Sequence, residues 1–263
     1  MILVAGGTGR LGTELVGRLV ARGEQVRVLT RDAGRAAHLP PVEVVVGDVR
    51  RPGDVARAVR GADAVVSAVH GFTGRGVSPA SVDRDGNACL VDAAATVGAH
   101  VVLLSVLGAA PDHPIELFRM KAAAEAYLRA SGAPWTIVRA GAFLELHRDL
   151  LRRTAGRRGR PVVLGRGDNP VPFAAVPDVA AAVDRALTDP ACRDVVLEVP
   201  GVTMTFNELA AGMASELGPV ARHPRHVPRV LLRALPGRLP AAALVMDTRD
   251  LTAAGSEAAL RRA

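Results

Sequence analysis

A doubly wound α/β fold built on a parallel sheet is predicted by three features of this 263-residue chain. Short β-branched apolar runs, each about four to eight residues long, alternate with segments whose apolar positions recur at helical spacing. The first of these runs passes through a glycine-rich turn directly into a helix. Hydrophobic residues make up 49% of the chain, enough to bury a sheet on both faces.

The opening run, Met1-Ile-Leu-Val-Ala, is followed by Gly6-Gly7-Thr8-Gly9-Arg10-Leu11-Gly12. Leu11, Leu15, Val16, Leu19 and Val20 then place a helix over 9–22. Strand, glycine turn and helix in this order start a dinucleotide-binding unit. A side chain at Gly7 would block the tight reversal, and one at Gly9 would hold the backbone away from a pyrophosphate. A third, at Gly12, would keep the helix off the strand. The phosphates then meet backbone N–H groups at the positive end of the helix.

The remaining elements follow in order. Strands are predicted at 25–30, 42–46, 62–69, 100–107 and 134–139. Helices are predicted at about 54–60, 81–98, 115–131 and 143–154. Beyond Gly141 the rhythm loosens: short strands at 161–167 and 170–176, a helix at 179–188 capped by Asp178, and a strand at 195–199. Thr205 or Asn207 opens a helix over 208–217, and the tail from Arg222 is proline-interrupted and partly helical. The expected organisation is one Rossmann-type domain over 1–263, with substrate-lobe elements mainly in 142–176 and 200–263.

Composition removes several classes of function. Aromatic residues are only 3% of the chain, which leaves base-stacking modes little to work with. The basic run Arg152-Arg153-Thr-Ala-Gly-Arg157-Arg158-Gly-Arg160 reads as a solvated loop, and no nucleic-acid partner is expected. Cys89 and Cys192 are too far apart for a metal-ligand spacing, so no metal site is expected. No apolar run approaches the about 20 residues a membrane span needs. The first strand begins at Met1, so no signal peptide is read, and the expected compartment is the cytoplasm. Net charge is +7, and 32 of the 33 basic residues are arginine; Lys121 is the one lysine.

The residue after the second strand faces the adenosine ribose in such folds. An arginine there pairs with a 2′-phosphate, whereas an acid accepts from free hydroxyls. Arg31 comes first and favours NADP(H), with Arg10 close enough to help; Asp32 carries the competing NAD reading. Asp48 and Val49, ending the third strand, fall near the adenine. Asp48 either accepts from the adenine amino group or caps its own turn. Ala68 and Val69, ending the fourth strand, run along the cofactor, and Phe72 either walls the nicotinamide pocket or joins the core.

Several stretches together resemble the atypical short-chain dehydrogenase/reductases, in particular the NmrA-like group with its quinone- and azo-reductase relatives. They are Gly6 to Gly12, Arg31, Gly47-Asp48, Ser105-Val-Leu-Gly, Lys121-Ala with a following glutamate, Trp135-Thr-Ile-Val-Arg139-Ala-Gly and Val176-Pro-Asp178-Val-Ala. The likeness spans about residues 1–200. It implies NADP(H) bound across the carboxyl edge of the sheet and a small-molecule substrate. Better-known members carry a proton-donating tyrosine four residues before the lysine, and here that place is Leu117. Tyr127, the only tyrosine, lies six residues after Lys121 and off its helix face.

The chemistry left to the chain centres on Lys121, as a donor to a nicotinamide ribose or in proton transfer; the alternative is an ion pair with Glu125. Ser105 is expected at the nicotinamide end, bonding substrate or backbone. His113 and His147 are candidate proton sources. The leading expectation is an NADPH-dependent reductase moving hydride to a quinone, enone or carbonyl compound. Two alternatives stand beside it: a non-catalytic NADP-sensing regulator, motivated by Leu117, and a non-redox isomerase or cyclase on the same fold.

Overall fold

Strand and helix alternate in the computed structural model, which describes residues 1–71 and 76–228. In chain order the first elements are β1 (Ile2–Ala5), α1 (Arg10–Ala21), β2 (Val26–Thr30), β3 (Glu43–Val46), α2 (Pro52–Ala58), β4 (Ala64–Ser67), α3 (Asp85–Thr96), β5 (His100–Val106), α4 (Glu116–Ala130) and β6 (Trp135–Ala140). There follow β7 (Ala142–Phe143), α5 (Leu144–Ala155), β8 (Val162–Leu164), β9 (Val171–Ala174), α6 (Val176–Thr188), β10 (Val195–Val199), β11 (Val202–Met204), α7 (Phe206–Gly212), α8 (Ala214–Leu217) and β12 (Arg225–Val227). By contact the described residues divide into two compact units: Met1–Ala140 with Val176–Val199, and Gly141–Ala175 with 200–228.

The first unit holds a seven-stranded sheet in the order β10-β6-β5-β4-β1-β2-β3, all neighbours parallel. This is the doubly wound arrangement predicted from the alternating pattern. The chain runs outward from β1 to β3, then returns to β4 on the other side of β1. That reversal opens a crevice at the carboxyl ends of β1 and β4, where ligands of such sheets bind. Burial explains the apolar runs: every residue of β1 and β4 is buried. One sheet face, with Leu3, Val65 and Leu103, packs against Val55, Leu90 and Leu128 of α2, α3 and α4. On α1, Leu11, Leu15, Val16 and Leu19 are buried. Burying a leucine side chain such as Leu15 is worth about 2 kcal/mol. An ion pair between Arg22 and Asp184 ties the end of α1 to α6.

The second unit has smaller sheets. In one, β9 lies between antiparallel β11 and parallel β7; in the other, β12 pairs parallel with β8. Leu151, Val163, Phe173, Phe206, Leu209 and Met213 make its core.

Boundaries differ from the sequence reading where local geometry intervenes. The helix predicted at 81–98 opens with a π turn, Ala80–Arg84, before α3 begins. Asp178 lies inside the first turn of α6 and does not cap it, because the helix already starts at Val176. Thr205 is the N-cap of α7, in a reciprocal capping box with Glu208, and the predicted helix breaks at Met213 into α7 and α8. The expected partly helical tail contains β12; the rest of that tail, from 229, and Phe72 lie outside the described residues.

Candidate functional site

The turn between β1 and α1 is shaped by backbone crowding. Gly6 has φ +88°, and a Cβ there would lie 2.5 Å from the carbonyl oxygen of Ala68. A Cβ on Gly12 would lie 2.2 Å from the Gly6 oxygen and 2.5 Å from Gly7 Cα, so only glycine lets α1 close on the strand. Gly9 is different: its nearest contact is the Gly6 oxygen at 3.3 Å. What a side chain at Gly9 would fill is the mouth of the turn. The Gly9 N–H donates to Gly6 O at 3.0 Å and closes the loop. At the start of α1, Gly9 offers no capping side chain, and the first turn holds no acid. First-turn N–H groups without an intrahelical acceptor are therefore left for an anion. Leu11 and Gly12 are buried, so only their backbone is available to a ligand; Thr8 is half-buried and Arg10 exposed. This cradle fits a diphosphate.

The carboxyl ends of β2 and β3 enclose a surface hollow of about 330 Å³ lined by Arg31, Val46, Gly47, Asp48, Arg51 and Asp54. Asp48 accepts from the backbone N–H of Arg50 at 3.0 Å and from its Nε and Nη2 at 3.0 and 2.6 Å. The Arg50 guanidinium holds the Asp48 carboxyl below the usual carboxylate range. Of the two readings of Asp48, the geometry holds the turn-capping one. Asp32 likewise caps a turn, accepting from the Gly34 N–H at 2.9 Å. Val49 packs on Gly86 of α3, within 2.9 Å of where a Cβ would stand.

The end of β4 touches the cradle through Ala68 and Val69, and it also meets the lysine. Lys121, 4% exposed, donates to Val69 O at 3.1 Å and Leu104 O at 2.9 Å, and lies 3.0 Å from Asp83 Oδ1. The Asp83 contact is an ion pair without hydrogen-bond geometry. Two of the three ammonium protons are therefore hydrogen-bonded to backbone carbonyls, and the charge is matched by Asp83. The ion-pair alternative for this residue is corrected: its partner is Asp83 and not Glu125. Asp83 is wholly buried in the π turn and accepts from the Gly71 N–H at 2.7 Å. Its neighbour Asn87 donates to Asp83 O at 2.7 Å and accepts from Ser67 Oγ at 2.5 Å.

Ser105 is also corrected. It is 1% exposed, and its hydroxyl donates to Glu125 at 2.5 Å. Glu125, equally buried, accepts from Arg139 at 3.0 and 2.7 Å and from Arg129 at 3.1 Å. This network pins α4 to β5 and β6, so Ser105 is a structural hydroxyl here. His113 stacks on Phe118, ring centroids 4.1 Å apart. Its Nδ1 accepts from the Ile115 N–H at 3.1 Å, which places the neutral ring's proton on Nε2. Burial lowers its pKa and favours that neutral form. His147, in the second unit, bonds Phe143 O at 2.7 Å and meets Phe173 and Phe206 edge-on; burial lowers its pKa as well. Arg51 in the wall of the hollow, and the contacts of Asp83 and Glu125, were unforeseen. In sequence only Asp83 gave a hint, as an acid on the apolar side of its helix.

A parallel doubly wound sheet with an anion cradle at its reversal point defines a dinucleotide-binding protein. The chain belongs to the NAD(P)H-binding family, which it matches over residues 6–190. It is 31% identical over 227 residues to an NAD(P)H azoreductase of Xenophilus azovorans, covering 85% of this chain and 76% of that one. It is 34% identical over 222 residues to a (4-alkanoyl-5-oxo-2,5-dihydrofuran-3-yl)methyl phosphate reductase of Streptomyces griseus, covering 83% and 74%. Its fold matches that of the Escherichia coli NADPH-dependent quinone oxidoreductase solved with NADPH, with a TM-score of 0.76 at 20% identity over 97% and 90% of the two chains. The resemblance to atypical short-chain reductases is thereby borne out, and the chain is an NAD(P)H-dependent reductase. Among the described residues no helix is long and apolar enough to cross a membrane, and no cluster of metal-ligating side chains occurs.

Proposed function

We propose that the protein transfers hydride from NADPH to a small conjugated acceptor such as a quinone, an enone or an azo compound. The observation that carries this reading is the glycine cradle backed by Ala68 and Val69, in a chain related to reductases of such acceptors. Gly6, Thr8, Gly9, Arg10, Leu11 and Gly12 hold the diphosphate through backbone amides. Arg31 faces the adenosine end, and Ala68 and Val69 follow the cofactor toward its nicotinamide. When bound, the nicotinamide supplies the hydride, two electrons with one proton.

The chain's own residues orient and exclude water. Lys121 is a positioning residue: through Val69 O and Asp83 it fixes the strand end against which the cofactor lies. Reduction takes up one further proton, which this reading draws from water, and His113 is the side chain it assigns to donate a hydrogen bond to the charge developing on the acceptor. Its neutral ring carries hydrogen on Nε2 and is held by Ile115 and Phe118. Purified protein mixed with NADPH and a panel of quinones, enones and azo dyes is expected to consume NADPH with at least one of them. Tight NADPH binding with no turnover on any acceptor would reject the reading. It would favour the regulator suggested by Leu117, whose signature is unequal affinity for oxidised and reduced cofactor.

A further inference from the structure

The hollow beyond β2 and β3 contains an imbalance that the glycine cradle does not explain. It is lined by two acids and two arginines. All four carboxylate oxygens are already engaged: those of Asp48 by Arg50, and those of Asp54 by the Arg57 guanidinium at 2.9 Å and the Asp48 N–H at 3.0 Å. Both carboxyl pKa values are lowered, Asp48 chiefly by the hydrogen bond from Arg50 and Asp54 chiefly by that from the Asp48 N–H, so both acids are anionic and matched. The guanidiniums of Arg31 and Arg51 make no hydrogen bond or ion pair with the described residues, and both residues are exposed. At longer range Arg31 acts on Asp48 and Arg51 on Asp54.

We infer that Arg51 is a second determinant of phosphate recognition, closing with Arg31 on a phosphomonoester at the ribose of the dinucleotide. This rests on the proposed orientation of the cofactor, adenosine end toward β2. A phosphomonoester carries about two negative charges at neutral pH and three acceptor oxygens, the complement of two planar guanidinium forks. A free ribose hydroxyl calls instead for an unpaired carboxylate, and both acids in the hollow are already paired with guanidiniums of their own, Arg50 and Arg57. The hollow therefore discriminates by charge, and with one arginine removed it discriminates less.

The test is binding, not turnover. Affinities of wild type, Arg31→Ala, Arg51→Ala and Arg51→Lys are measured by calorimetry for NADPH and NADH. They are measured also for the fragments adenosine 2′,5′-bisphosphate and 5′-AMP, which differ only in the phosphate. Arg51→Ala is expected to weaken NADPH and the bisphosphate about tenfold while NADH and 5′-AMP stay within about twofold. Arg51→Lys should fall between, because it keeps charge and loses the fork. An unchanged NADPH-to-NADH ratio in Arg51→Ala, with a lowered ratio in Arg31→Ala, overturns the role of Arg51 alone. Equal weakening of both cofactors in Arg51→Ala would make the residue structural and overturns it too. If wild type binds neither cofactor, the underlying reading fails, and that outcome is visible before any variant is made.

Discussion

Replacing Lys121 with methionine separates two accounts of the one lysine in the chain. If the ammonium is a buried strut, Lys121→Met leaves Asp83 as a fully buried carboxylate with the Gly71 N–H at 2.7 Å as its remaining hydrogen-bond donor. Val69 O and Leu104 O lose a donor as well. Removing one member of a buried pair costs about 3–5 kcal/mol, because the other charge stays desolvated. Neutralising both members removes that penalty, so Lys121→Met with Asp83→Asn should recover about 2 kcal/mol of the loss. Urea unfolding followed by circular dichroism reads both values, since midpoint shifts at constant slope are changes in stability. A loss below about 1 kcal/mol in the single variant, together with a fall in NADPH affinity above about tenfold, would refute the strut and restore a direct ligand role.

Three further outcomes follow from the same geometry. His100 is 3% exposed, its Nε2–H is given to Thr136 Oγ1 at 2.9 Å, and burial lowers its pKa from 6.5 to about 4. The unfolded chain then binds more protons in that window, so stability falls as pH drops from 6.5 to 4 and levels off below. The expected loss is about 2 kcal/mol, discounted for screening, and His100→Gln should flatten it in a pH series of unfolding curves. Gly12→Ala places a methyl within 2.2 Å of backbone oxygen, and the resulting shift of α1 should cost about 1–3 kcal/mol and most of the cofactor affinity. A folded variant with wild-type affinity would show that the cradle is not where the phosphates bind. Glu125→Gln strips the charge that Arg139 and Arg129 share and should lower stability by about 2 kcal/mol, measured by the same denaturation. An unchanged midpoint would mean the Ser105 network is dispensable.

Local signals made most of the first unit readable. The strand, glycine turn and helix of residues 1–21 lie within one stretch, and burial on both faces makes the sheet strands continuously apolar. The arginine after β2 was readable as a candidate because its place at the strand end depends on position alone, and it does line the hollow there. Arg51 was not, because its companion Arg31 lies across a strand pairing that spacing does not reveal. Asp83 and Lys121 are 38 residues apart, and their contact joins the π turn before α3 to α4, a tertiary pairing that spacing does not reveal. Ser105 was misplaced for the same reason: its acceptor, Glu125, sits on a helix that also contacts Arg139 on β6. In the second unit β7 has two residues and β12 three, too short to show a period of two.

Titration calorimetry of the wild-type protein with NADPH, NADP⁺, NADH and NAD⁺ addresses the claim on which the rest depends. The glycine cradle and the arginine-lined hollow predict saturable uptake at one site per chain, with the phosphorylated pair held more tightly. Heat of binding from none of the four would contradict that claim.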